Sequence, residues 1–194
     1  MKVIFKNSTL TFAKGLWTKT GIIIKVLSNE VKSVAFPVGK SCNVMGRNLV
    51  DLTHLKYHKI INDSGVEIDD TSSYFDNFIP MFGGGTIKSN VGISRVYFYD
   101  KNKSLLVRDG HLNKTSIKIP STYKGKDIYW IKIQTQATTS QTPLETMIVT
   151  KDEDAAPDSF EAFSSNTDGT IYAPYSWVYA DDLSEITIEE KSNS

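Results

Sequence analysis

Two runs of carboxylates contain the residues of this chain that could perform acid–base chemistry. Their members are Glu67, Asp69, Asp70, Asp76, Asp152, Glu153, Asp154 and Asp158. A glycoside hydrolase needs two such groups on opposite sides of a groove, one of them with a raised pKa. Both runs are typical of solvated loops, in which carboxylates and carbonyl groups could hold a structural calcium ion instead. Apart from that ion, we expect no cofactor.

Other catalytic and metal-binding motifs are incomplete in this sequence. His54 and His58 have the i, i+4 spacing of zinc ligands on a helix, but the glutamate of an HExxH motif is missing. There is no GxSxG motif, and the single cysteine, Cys42, has no evident partner base. The Gly83-Gly84-Gly85 run lacks the spacing and the following helix of a phosphate-binding loop. The sequence therefore predicts a protein that is not an enzyme and has no metal ligands beyond the loop carboxylates.

Aromatic and polar residues alternate with apolar ones in two strand-like segments near the middle of the chain. In the first segment, Val96 and Phe98 have the two-residue period of side chains that face a core. In the second segment, Tyr129, Ile131 and Ile133 have the same period. The residues between them should project from the opposite face, and they are Arg95, Tyr97, Tyr99, Trp130, Lys132 and Gln134.

This second face has the chemistry of a glycan-binding surface. Aromatic rings stack on the apolar faces of sugars, while arginine, lysine and glutamine side chains hydrogen-bond to hydroxyl groups. Protein interfaces use the same residue types. The alternative is therefore that a terminal segment of the chain, or a neighbouring subunit, covers the face.

The segment from Arg95 to Gly110 must position half of this face, and it has the pattern of a strand, a tight turn and a second strand. Asp100 and Asn102 supply turn chemistry, because such side chains hydrogen-bond to nearby backbone and tolerate left-handed conformations. Leu105 then restarts the apolar pattern. Helix periodicity is nearly absent from the chain, and segments rich in Thr, Val, Ile, Tyr and Phe are separated by Gly, Asn, Asp and Ser. The sequence thus predicts an all-β fold.

We predict three parts along the chain. Residues 1–42 hold three or four strands, too few for a stable core, and should form a β segment for attachment or assembly. Residues 43–163 hold about eight strands, the number needed for a jelly-roll β-sandwich. Residues 164–194 form a short C-terminal β extension. Its exposed aromatic cluster would suit an oligomer interface, and the residues concerned are Tyr172, Tyr175, Trp177 and Tyr179.

Charge and hydropathy exclude two classes of partner. The 194 residues include 22 Lys and Arg against 22 Asp and Glu, so the formal net charge is zero. A neutral chain without a long basic run argues against nucleic acid as the main partner. The longest apolar runs, at 21–24 and 128–133, are strand-sized and far shorter than a membrane span. We therefore expect no membrane insertion.

Several short motifs occur in the order and spacing of a known family. They are Asn48-Leu49, Ser72-Ser73-Tyr74, Asn77-Phe78-Ile79-Pro80, the run from Val96 to Lys103 followed by Leu105-Leu106, and the run from Tyr129 to Ile133. On these motifs, residues 48 to about 163 resemble a jelly-roll domain common in phage tail, baseplate and fibre proteins, which is similar in fold to carbohydrate-binding modules. The two ends of the chain lie outside the resemblance, and the family has no invariant binding residues to carry over.

The resemblance implies a non-enzymatic component of a virion. Such a protein would be a fibre or decoration of the head or tail. It would assemble as a homo-oligomer, often a homotrimer, and would contact other virion proteins. A receptor-binding module that recognises host-surface polysaccharide is the alternative, and a polysaccharide-degrading enzyme is a second one.

Overall fold

The computed structural model describes residues 2–6, 22–27, 31–35, 42–136, 142–155, 157, 159–173, 175–180 and 185–190. They form 17 β-strands, one 3-10 helix (Leu52–His54) and one four-residue α-helix, α1 (Thr142–Glu145). The strands in chain order are β1 (Lys2–Lys6), β2 (Ile22–Leu27), β3 (Val31–Ala35), β4 (Cys42–Met45), β5 (Leu55–Lys56), β6 (Lys59–Ile61), β7 (Glu67–Asp69), β8 (Ser73–Pro80), β9 (Gly85–Tyr99), β10 (Leu105–Ile119), β11 (Thr122–Tyr123), β12 (Lys126–Asp127), β13 (Trp130–Thr135), β14 (Val149–Lys151), β15 (Ser165–Asn166), β16 (Tyr175–Ala180) and β17 (Glu185–Glu190). The all-β prediction is confirmed. No helix in these described ranges is long and apolar enough to cross a membrane.

The chain divides into two compact units. Asn48–Ala162 forms one, which we call the central unit. Met1–Arg47 and Phe163–Ser194 together form the other, which we call the terminal unit. The two end segments, which the sequence suggests as separate pieces, therefore fold as one unit, and the central unit is inserted between them.

The central unit is built around a six-stranded antiparallel sheet. Its strands follow the order β10-β9-β13-β8-β5, and β14 pairs with the first part of β9. The two longest strands, β9 and β10, have 15 residues each and correspond to the strand–turn–strand segment predicted from the sequence. Two hairpins, β6–β7 and β11–β12, complete the antiparallel pairing. These antiparallel sheets are consistent with the predicted β-sandwich.

The predicted turn between β9 and β10 is confirmed in its chemistry. One carboxylate oxygen of Asp100 accepts hydrogen bonds from the backbone N–H groups of Asn102 and Ser104, both at 2.9 Å. Lys103, between them, has a φ of 62°, the left-handed conformation that closes the turn. The aspartate thereby fixes the register with which β10 returns along β9.

The apolar face of the sheet is buried as the alternation predicts. Phe75, Ile133 and Val96 lie in one row across β8, β13 and β9, and none of the three is exposed to solvent. Ile131 and Phe98 form the next pair along the two strands and are also buried. Truncating such a fully buried phenylalanine costs about 3–5 kcal/mol, so this face contributes strongly to the stability of the central unit.

The terminal unit contains two sheets in which strands from both ends of the chain pair. In one, β17 lies between β1, which is parallel to it, and β3, which is antiparallel. In the other, the order is β15-β4-β16-β2, and all its pairs are antiparallel. Each end of the chain therefore completes sheets that the other end begins.

The aromatic cluster predicted on the C-terminal segment belongs to this second sheet, and its predicted exposure is wrong. Tyr175, Trp177 and Tyr179 lie on β16 and are each no more than 6% exposed. Their strand lies between β4 and β2, and Val178 on its opposite face is buried as well. Tyr172 precedes the strand, is half-buried, and accepts a hydrogen bond from Asn166 through its hydroxyl at 2.9 Å. The rings on β16 are therefore buried within the terminal unit and do not form an exposed cluster.

Candidate functional site

The six residues predicted to form a glycan-binding face do share one face of the central sheet. The register of β9 against β13 places Tyr99 opposite Trp130, Tyr97 opposite Lys132, and Arg95 opposite Gln134. Directly paired residues on antiparallel strands point to the same side of a sheet. Strand periodicity therefore predicted correctly that these side chains share a face.

The predicted exposure of this face is wrong for four of the six residues. Tyr97, Tyr99, Lys132 and Gln134 are each at most 7% exposed. Arg95 and Trp130 are half-buried. The sequence therefore located the face, but most of it does not meet solvent.

The cover over the face comes from the central unit itself. Ile61, at the end of β6, packs in one buried cluster with Tyr74, Tyr97 and Tyr99. Its backbone N–H donates a hydrogen bond of 3.2 Å to the Tyr97 hydroxyl. The Tyr74 hydroxyl donates to a carboxylate oxygen of Glu67, on β7, at 2.6 Å. The β6–β7 hairpin thus closes over the face, and this local cover differs from both the terminal segment and the neighbouring subunit considered from the sequence.

Polar groups inside the face bind to one another. The Tyr97 hydroxyl donates to Oε1 of Gln134. The Lys132 ammonium pairs with the Asp76 carboxylate and lies 4.1 Å from the centre of the Phe78 ring. Burial raises the pKa of the Tyr97 hydroxyl. Burial keeps the phenol neutral and the Asp76 carboxylate engages the lysine within the fold, which is the arrangement of a packed polar layer.

A partly exposed aromatic patch remains at one end of the face, formed by Phe78, Trp130 and Lys103. The Phe78 and Trp130 rings meet edge to face with centroids 6.2 Å apart, and both are half-buried. The exposed Lys103 places its ammonium 4.8 Å from the Phe78 centroid and 5.3 Å from the Trp130 centroid. Sequence reasoning missed Phe78. Alternation along β8 could have found it, since Phe78 is an even number of residues from Tyr74 and Asp76.

An arginine pair lies on the same face, in the middle part of the β9–β10 ladder. Arg95 is opposite Gly110, and Arg108 is opposite Tyr97, so the two arginines are diagonal neighbours on adjacent strands. Nε of each guanidinium is buried and has no hydrogen-bond partner in the described part of the chain. Nη1 of Arg108 lies 3.6 Å from the Asp63 carboxylate. Sequence reasoning missed Arg108 because the bulge at the start of β10 shifts its alternation by one residue.

Several of the carboxylates considered for catalysis or calcium have individual structural partners. Asp76 pairs with Lys132, and a carboxylate oxygen of Asp152 accepts a hydrogen bond of 2.7 Å from the backbone N–H of Thr86. A backbone hydrogen bond from Ser72 lowers the pKa of Asp70. Asp158 lies outside the described residues. Among the residues that are described, no group of three or more His, Cys, Asp and Glu side chains could hold a metal ion.

The histidines do not form the helical pair considered from their spacing. His54 ends the 3-10 helix and lies 2.9 Å from the Asp51 carboxylate, while His58 sits in a turn with a φ of 53°. The third histidine, His111 on β10, lies 3.0 Å from the Asp109 carboxylate, and burial lowers its pKa. The backbone between His54 and His58 is a strand and a turn, so their i, i+4 spacing does not place them on a common helix face.

Comparisons with known proteins found no match to this chain among protein-family models, curated proteins or solved structures.

Proposed function

We propose that this chain is a non-enzymatic structural protein of a phage virion, a fibre or decoration component of the head or tail. It assembles as a homo-oligomer, a homotrimer in the simplest case, and binds other virion proteins. The sequence resemblance over residues 48 to about 163 supports this class of virion protein. The insertion of the central unit in the sequence of the terminal unit supports separate roles for the two units.

The insertion is the observation that carries this proposal. In the terminal unit, the backbone N–H of Gly46 donates to the carbonyl of Ser164 at 2.8 Å. In the central unit, Asn48 donates to the carbonyl of Glu161 at 2.9 Å. The chain therefore leaves the terminal unit and returns to it at adjacent points. The terminal unit can therefore serve attachment, while the central unit is presented as a closed domain.

The terminal unit also has the edges that assembly requires. Within its described strands, β1 and β3 are the outer strands of the sheet centred on β17. Outer strands carry unpaired backbone donors and acceptors, which a neighbouring subunit can complete in a symmetric oligomer. Pairing of these outer strands with strands of a neighbouring subunit would also stabilise this small sheet, which has three described strands.

Mass measurement of the full chain in solution tests the assembly. Light scattering after size-exclusion chromatography at micromolar concentration should give three times the chain mass of 21.7 kDa. A strict monomer under these conditions would contradict the proposal. Antibody labelling of intact virions, viewed by electron microscopy, would test the location independently.

A receptor-binding module for host-surface glycan is the second candidate, and the aromatic patch favours it. Trp130 and Phe78 offer partly exposed ring surface for a sugar face, and Lys103 offers a donor beside them. This combination of apolar platform and convergent polar group is the usual composition of a saccharide site.

Trp130→Ala should weaken glycan binding on an array of host-surface polysaccharides about two- to tenfold, because an aromatic contact is worth about 0.5–1.5 kcal/mol. Tyr123→Ala is the matched control. Its ring is also half-buried and carries a lysine ammonium, that of Lys124, 5.4 Å from its centre. Equal binding by both variants and the wild type would exclude the patch as the site.

A further inference from the structure

Strand β8 bulges opposite a single lysine of β13, and both are inner strands of the central sheet. Between two regular pairs of these strands, β13 has one residue, Lys132, whereas β8 has three, residues 76–78. Bulges re-aim side chains and are frequent next to functional groups. Here the bulged strand brings the Asp76 carboxylate into contact with the Lys132 ammonium, although the two residues are 56 positions apart in the chain.

Aromatic rings shield the lysine nitrogen from water. Nζ of Lys132 lies 4.1 Å from the centre of the Phe78 ring and 5.6 Å from that of the Tyr99 ring, and the lysine side chain is only 9% exposed. Burying an ammonium and a carboxylate costs free energy of desolvation, which an uncharged product formed from the two groups would not carry. The Asp76 side chain is 36% exposed, so a released water molecule has a way out of the site.

A second pair of groups that can transfer protons lies beside the carboxylate. The Tyr74 hydroxyl donates a hydrogen bond of 2.6 Å to a carboxylate oxygen of Glu67. Burial, then this hydrogen bond, then the charge of Asp76 raise the pKa of the Tyr74 hydroxyl, so the field of Asp76 reaches it. The hydroxyl and the Glu67 carboxylate can therefore relay a proton during a reaction of Asp76.

We propose that Lys132 and Asp76 condense to form an intramolecular isopeptide bond. The ammonium transfers one proton to the carboxylate, and the lone pair of Nζ attacks Cγ. The bond that forms joins Nζ to Cγ, and the bond that breaks joins Cγ to one carboxyl oxygen. That oxygen leaves as water with two of the three ammonium protons, the second carried by Tyr74 and Glu67, and the amide nitrogen keeps the third. The step needs no co-reactant, because the two groups are held in contact.

The bond would join two inner strands of the central sheet covalently and close a loop of the chain from residue 76 to residue 132. A cross-link of this kind restricts the unfolded chain and so stabilises the folded one. It would keep β8 and β13 together under heat or mechanical load, which suits a projecting component of a virion. The bond itself does not depend on that role, so its test is independent of the proposed function.

The intact mass of the full chain, measured after denaturation, tests the bond. The wild type should be lighter than its sequence by one water molecule, and a tryptic digest should contain the peptide of Asp76 joined to that of Lys132. Lys132→Arg keeps the positive charge but has no amine that can attack, and Asp76→Ala has no carboxyl group. Both variants should have the full mass of their sequences. A wild-type chain of full sequence mass would overturn the proposal.

Lys59 and Asp69 form the matched control pair. They lie directly opposite each other on β6 and β7 and are in contact, but their side chains are 39% and 87% exposed. Lys59→Arg should therefore leave the loss of one water unchanged. A loss that persists in Lys132→Arg would come from another group, such as a succinimide at the Asp109-Gly110 step, and would overturn the proposal.

Glu67→Gln tests the proton relay. It should slow bond formation by about 100-fold, a usual contribution of general acid–base catalysis, when the mass is followed over time after cell-free synthesis of the full chain. Circular dichroism of the same sample checks that the variant has folded. A folded Glu67→Gln chain that loses water at the wild-type rate would overturn the role given to Glu67.

Discussion

Asn48→Ala should lower the free energy of unfolding of the central unit by about 3–5 kcal/mol. Asn48 is fully buried and uses its whole side-chain amide. Nδ2 donates to the carbonyls of Met147 and Glu161, at 3.2 and 2.9 Å. Oδ1 accepts from the backbone N–H groups of Val50 and Val149, at 3.2 and 3.0 Å. Alanine would remove the partner of three buried backbone groups, those of Met147, Val50 and Val149, and each buried group left unpaired costs about 1–3 kcal/mol.

The position of these bonds adds to their effect. Three of the four join residue 48, the first of the central unit, to segments 99–113 residues further along the chain. The backbone N–H of Leu49 also donates to the carbonyl of Val149 at 2.8 Å. Residues 48 and 49 therefore bind both the N–H and the carbonyl of Val149. Loss of the Asn48 side chain would open the ends of the central unit, where the chain enters and leaves.

Asn90→Ala is the matched control for this prediction. Asn90 also bridges two backbone groups of the same late segment, since it donates to the carbonyl of Thr146 and accepts from the N–H of Ile148, both at 2.9 Å. Because Asn90 is exposed, water can replace it, and we expect a loss of about 1 kcal/mol or less. Urea unfolding followed by circular dichroism measures both variants. Similar midpoints for the two would show that burial of Asn48 does not have the expected effect.

Local periodicity was enough to predict which residues share a face. Val96 and Phe98 are buried as predicted, and the Asp100 turn sets the register of β10 against β9. Each of these features depends on neighbours within a few residues along the chain. Alternation therefore fixes the side of the sheet to which a residue points.

The cover over that side was not predictable from alternation. Tyr97 is buried because Ile61, 36 residues earlier, packs on it and donates to its hydroxyl. In the terminal unit, Trp177 is buried on a strand that pairs with β2, whose partner residues are about 150 positions away in the sequence. A two-residue period looks the same whether the second face meets water or another layer. A useful signal was available in composition, since aromatic rings on both sides of a strand are typical of a strand inside a packed domain.

Gly169→Ala should have the largest effect on the terminal unit, with a loss of at least about 3 kcal/mol in its free energy of unfolding. Gly169 has a φ of 87°, a conformation that costs an L-residue roughly 1–2 kcal/mol. A β-carbon there would lie 1.8 Å from the carbonyl oxygen of Val34, on β3. This neighbour is backbone and cannot turn aside, so the turn must separate from the strand. The hydrogen bond of 3.1 Å from the Val34 N–H to the Gly169 carbonyl would then be lost as well.

Gly125→Ala separates the cost of the backbone conformation from the cost of the collision. Gly125 has a φ of 77°, and a β-carbon there would meet nothing within 4 Å, so this variant should lose only about 1–2 kcal/mol. Hydrogen–deuterium exchange resolved by segment should show Gly169→Ala losing protection in β3 and β17 and keeping it in β9 and β13. If the terminal unit carries the assembly, the same variant should dissociate the oligomer in solution while Gly125→Ala does not. A Gly169→Ala protein as stable as Gly125→Ala would contradict the close approach of the 166–170 turn to β3.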